Sequence, residues 1–190
     1  MSRGARTRPS TLVGAWVGNG LVTNLGDFES IATTTVGAGG TTPITFSSIP
    51  QTYKHLQIRG IARTATTTQD FLVYKPNNAN LSARHYLDGN GSTASSGGST
   101  SVFDFGQIPK SNDTASAFSV FVMDLLDYTN TSKFKTVRHL AGYDLNGSGQ
   151  VILASGYYAS TTAVTSFVVT TYNSTNFAQY SSFALYGIKG

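Results

Sequence analysis

Apolar and polar residues alternate with a period of two through much of the chain. Leu56, Ile58, Gly60 and Ala62 fall on one face of an extended segment and Gln57, Arg59 and Arg63 on the other, the pattern of a strand packed on one side and wet on the other. A second segment places Phe118, Val120 and Val122 on one face and Ser119, Phe121 and Met123 on the other, so it is expected to be covered on both sides. β-Branched and aromatic residues mixed with small polar ones predict strands over Phe28–Val36, Pro43–Ile49, His55–Thr64, Phe71–Lys75, Ala83–Asp88, Ser101–Gln107, Ala117–Leu126, Phe134–Gly142, Gln150–Tyr157, Val164–Tyr172 and Phe177–Ile188. Turn-forming residues stand between them at Asn77-Asn78, Asp88-Gly89-Asn90-Gly91, Asn130 and Asn146-Gly147-Ser148-Gly149. No segment carries a sustained helical stripe. Short strands joined by turns, without crossover helices, predict an all-β antiparallel β-sandwich, jelly-roll-like, in preference to a closed barrel. Gly89–Ser101 has no bulky apolar residue and is expected to be a mobile surface loop at one end of it.

The strand pattern begins at Phe28. Residues 1–27 read as an extended basic N-terminal arm and residues 28–190 as the sandwich domain. The arm carries Arg3, Arg6 and Arg8, then an apolar group of Leu12, Val13, Trp16, Val17, Leu21 and Val22 that includes the chain's single tryptophan. Such a cluster needs cover, either from the sandwich or from a neighbouring subunit, and Arg3, Arg6, Arg8, Leu12, Val13, Trp16, Val17 and Leu21 are the candidate partner-binding positions. Glycines and Asn19 interrupt the apolar stretch, so it does not read as a secretory signal.

Composition narrows the function classes. The absence of cysteine removes disulfide scaffolds, thiolate metal sites and cysteine nucleophiles together. Charged residues are 12% of the chain, against roughly 25% in an ordinary soluble domain, so solubility rests on hydroxyls and amides. The net charge of +4 comes largely from the arm: without its three arginines, ten basic residues face nine acidic ones. A near-neutral body lacks the basic face that phosphate-dominated binding requires, which argues against a nucleic-acid partner. No run of eighteen or more apolar residues predicts a membrane span.

Catalytic chemistry is not legible. His55, His85 and His139 have no ligand spacing, and His55 and His139, in similar contexts, read as surface residues that could neighbour each other on a sheet. Asp124 and Asp127 form a close carboxylate pair, more simply explained by a strand end and its turn than by glycosidase geometry. Asp144–Gly149 resembles the first half of a calcium loop, but Ser155 stands where a bidentate glutamate is required, so a hairpin turn is expected. Tyr157 and Tyr158 must point to opposite faces, one inward and one outward. The residues predict neither an enzyme nor a metal or organic cofactor.

Three phrases resemble structural proteins of tailed-bacteriophage virions, of the head-decoration and tail-fibre type: Ile44–Arg59, Tyr128–Val137 and Phe177–Lys189. The resemblance spans most of Phe28–Gly190 and implies a module of the virion exterior, made in the bacterial host cytoplasm. The expectation is a capsid decoration or cement protein, a homotrimer held to other virion proteins by its arm. The alternative is a tail-fibre or receptor-binding module that recognises host cell-surface glycans through end loops and exposed tyrosines.

Overall fold

The structure, a computed structural model, describes residues 27–101 and 103–190. The arm positions Arg3, Arg6, Arg8, Leu12, Val13, Trp16, Val17 and Leu21 lie outside the described residues. Among the described residues twelve strands occur: β1 (Phe28–Thr35), β2 (Ile44–Phe46), β3 (His55–Ala62), β4 (Asp70–Pro76), β5 (Ala83–Gly89), β6 (Ala94–Ser99), β7 (Asp104–Ile108), β8 (Ser119–Leu125), β9 (Lys135–Asp144), β10 (Gly149–Tyr158), β11 (Phe167–Thr171) and β12 (Ser182–Ile188). They form two sheets, β1-β12-β3-β8-β9-β10-β5-β6 and β2-β11-β4-β7, antiparallel throughout. The protein is an all-β antiparallel sandwich, with eight strands packed against four.

The core lies between the sheets. Ile58, Phe121, Met123, Leu125, Val137, Ile152 and Leu185 come from the large sheet, and Ile44, Leu72, Tyr74, Phe105, Phe167 and Val169 from the small one. Tyr74 is its centre, with the rings of Phe105, Phe121, His139 and Phe167 around it at centroid distances of 5.3 to 6.3 Å. Large rings fit because glycines make room: a Cβ on Gly60 would stand 2.7 Å from the Phe121 ring, and one on Gly156 3.0 Å from that of Phe105. Turn chemistry ends strands where expected, at the crossing from β4 to the large sheet and at the β9–β10 hairpin. Asn77 and Asn78 both have positive φ, and Asn146-Gly147 turns β9 into β10 with Leu145 N donating to Ser148 O.

Three expectations are corrected. Gly89–Ser101 is not a mobile loop: its second half is β6, paired with β5 from Arg84–Ser99 to Gly89–Ala94. Its glycines lie beneath aromatic rings of β5, since a Cβ on Gly97 would meet the Tyr86 ring and one on Gly98 the His85 ring. β8 is covered on one face only. Ser119, Phe121, Met123 and Leu125 are buried, whereas Val120 is exposed and Phe118 and Val122 half-buried, because the four-stranded sheet lies against one side alone. Arg63 is buried, not on the wet face of β3. Its guanidinium donates to the carbonyls of Ser111, Asp113, Thr114 and Ala117 at 2.7 to 3.2 Å and so fixes the segment leading into β8.

Candidate interaction face

The outer side of the eight-stranded sheet is where this sequence departs from ordinary surface chemistry. β9 alternates strictly, burying Lys135, Val137, His139 and Ala141 and presenting Thr136, Arg138 and Leu140 outward. β10 presents Val151, Leu153, Ser155 and Tyr157, and β5 presents His85 and Leu87. The registers align these residues into rows across the strands. One row reads Arg59, Val122, Leu140, Leu153, Leu87, Ser96 over β3, β8, β9, β10, β5 and β6. The adjacent row reads Ile61, Val120, Gly142, Val151, Gly89, Ala94. Val120, Leu140, Leu153, Leu87 and Val151 are each 48 to 61% exposed. About half of each of five aliphatic side chains amounts to on the order of 500 Å² of contiguous apolar surface, at the upper end of what a monomer normally shows.

The margins of this face are built. The third row holds Gln57, Asp124 and Arg138 in a chain across β3, β8 and β9: Gln57 Nε2 donates to Asp124 Oδ1 at 2.6 Å and Arg138 Nη2 to Asp124 Oδ2 at 2.7 Å. At one end Phe134 stacks on Tyr157 at 6.0 Å. Toward the β1 edge the Arg59 guanidinium lies 4.9 Å from the Phe28 ring centroid, and Phe28 stacks on Tyr186. Charge is therefore confined to the border, in Arg59 over its rings and in the Asp124 and Arg138 ion pair.

A second feature follows from the unequal sheets. β5 and β6 extend past β7, the edge of the small sheet, so the inward sides of Arg84, Tyr86, Asp88 and Ser95 line an open cleft of about 300 Å³ instead of core. β7 supplies the opposite wall with Asp104 and Gln107. Arg84 Nη1 lies 3.1 Å from Asp104 Oδ1, and its guanidinium sits over the Tyr86 ring at 4.6 Å. Burial raises the Asp104 carboxyl above the usual range, opposed by the charge of Arg84. Asp88 accepts from Gln150 Nε2 at 3.0 Å and from the Ser95 hydroxyl, and Tyr143 donates to Gln107 Oε1 at 2.9 Å.

The other residues singled out in the sequence do not converge. His55 is at the start of β3, where its Nδ1 accepts from the Asp127 backbone N–H at 2.9 Å. His139 lies three register positions further along, with β8 between, so the two histidines are not neighbours. Nor is His139 surface: it is fully buried, shares a 3.0 Å hydrogen bond with the Tyr74 hydroxyl, and has its pKa lowered to about 3 by burial. Asp124 and Asp127 serve separate neighbourhoods. Asp127, in the turn after β8, is flanked by Lys133 and Lys54, and its carboxyl is held below the ordinary value chiefly by the Lys133 hydrogen bond. Asp144–Gly149 is a hairpin turn, and no group of three or more metal-ligating side chains assembles among the described residues. Tyr157 is exposed while Tyr158 packs against the core. Sequence reading missed both surfaces. The signal for the first was there, in Val151-Ile152-Leu153-Ala154, a run apolar on both parities that reads as buried on both faces. Compared with known proteins, the chain matches no family model, no curated protein and no solved structure.

Proposed function

We propose that this protein is a non-enzymatic structural component of a bacteriophage virion exterior, a capsid decoration or cement protein that works by holding on to other proteins. The observation that carries the reading is the apolar double row on the outer face of the eight-stranded sheet, which water alone leaves unfavourably solvated and which a protein partner would cover. The phrases that resemble phage structural proteins lie in β2 and β3, in the turn into β9, and in β12 with the segment before it, so they belong to the framework that displays this face. Arg3, Arg6, Arg8 and the Leu12–Leu21 group act as the tether to the shell, and assembly takes place in the host cytoplasm. The test is a density map of intact particles with the protein quantified per virion. Hundreds of copies on the head support the reading, and a handful at the tail tip replaces it with a fibre module.

One observation favours that second reading, a receptor-binding module for host surface glycans. The cleft beside β7 gathers carboxylates, amides, a guanidinium and an aromatic ring, groups that hydrogen-bond and stack on polyhydroxylated ligands. Glycan-array binding that Asp104→Asn abolishes would support it, and no binding by either protein would remove it.

A further inference from the structure

From the outer sheet face we infer that its occupant is a second copy of the same chain, packed face to face about a two-fold axis lying in the plane of contact. This deepens the structural reading above and rests on it. Between Arg59 at one end and Ser96 at the other, the two apolar rows contain no ionisable side chain. A different partner is selected largely by complementary charge, and the interior of this face has none to offer, its charges standing at the border in Arg59 and the Asp124 and Arg138 pair. It does offer self-complementary relief, since Leu140, Leu153 and Leu87 protrude in one row beside the hollows at Gly142 and Gly89 in the next. An isologous contact needs knobs and hollows on one patch. Outside the arm, ten basic residues against nine acidic ones leave little charge to repel a second copy.

Size agrees. The outer rows of β3, β8, β9, β10 and β5 form a footprint roughly 24 Å across the strands and 20 Å along them. With its rim, such a footprint buries on the order of 700 Å² per copy, close to the ~800 Å² that each side of a standard interface contributes. The contact is then an aligned sheet-on-sheet packing, with the Gln57, Asp124 and Arg138 row at the wet border.

Sedimentation equilibrium of the full chain at micromolar concentration tests this, beside the double variant Leu140→Lys, Leu153→Lys. Both side chains point to solvent in the single copy, so circular dichroism and a cooperative melt should be retained while dimerisation weakens at least a hundredfold. The chain has no cysteine, so Ser155→Cys carries a single nitroxide, and sheets packed about 10 Å apart require inter-copy label distances on the order of 20–30 Å. A trimer, a dimer indifferent to the two lysines, or widely separated labels would overturn the assignment. So would a full chain that stays monomeric, and association that appears only after residues 1–26 are deleted would identify the arm as the occupant. Particle attachment is measured separately. A monomer that still fills its sites on the particle ends the dimer and leaves the structural role standing, whereas a dimer that never binds a particle does the reverse.

Discussion

His139 and Tyr74 join the two sheets at the centre of the core, and the imidazole has no water to stabilise its charge there. In the unfolded chain a histidine takes up a proton near pH 6.5, whereas this one stays neutral until about pH 3 in the fold. The unfolded state therefore binds the extra proton in between, so the contribution is fully present above the unfolded pKa and is lost as pH falls through that window. It reaches about 5 kcal/mol across the window, at 1.36 kcal/mol per pKa unit. Urea midpoints measured from about pH 7 to about pH 4.5 should decline, and His139→Met should flatten the decline. An unchanged slope in that variant would place the titration elsewhere. Phe121 tests the direction in which β8 faces. Phe121→Ala should cost roughly 3–5 kcal/mol, and half-buried Phe118→Ala about 1 kcal/mol, read from denaturant curves. The reverse order would mean that the strand is turned over.

The predicted strands were legible because each writes its pairing in its own letters, as alternation bounded by Asn and Gly turns. β6 does not. Ala94-Ser95-Ser96-Gly97-Gly98-Ser99 is poor in every strand-forming residue, and what holds it is the backbone ladder to β5 and the rings of Tyr86 and His85 lying across its glycines. Those rings belong to another strand, so nothing in the segment itself announces them. The outer face was hidden for a related reason. Leu140, Leu153 and Leu87 each look like core in isolation, and only the register shows that they line up on the side the small sheet does not cover. The cleft beside β7 depends on one sheet outrunning the other, a property of topology that no single segment contains. The dependence of β6 on its neighbour can be measured. Tyr86→Ala should accelerate amide exchange through Ala94–Ser99 by tenfold or more and leave β9 protected, while uniform acceleration would show that the ring supports the whole sandwich instead.

At the scale of the domain, the buried residues of both sheets, among the described residues, all lie from Val36 onward. Residues 28–190 alone should then give β-type circular dichroism and a single cooperative melt, but no longer attach to particles. A truncated chain that melts without a transition, or one that binds at full occupancy, would contradict the division into arm and domain. The sheet order has a further consequence in time. β1 pairs along its length with β12, and Lys189 N donates to Asp27 O at 2.9 Å, so the first of the described strands finds its partner in a strand made about 150 residues later. At typical synthesis rates of 5–20 residues per second, β1 waits roughly eight to thirty seconds on the ribosome before it can pair. The large sheet is completed only once β12 has been made and released from the ribosome. Nascent chains stalled before Ser182 should accordingly stay protease-sensitive throughout β1 and acquire protection there only when β12 emerges.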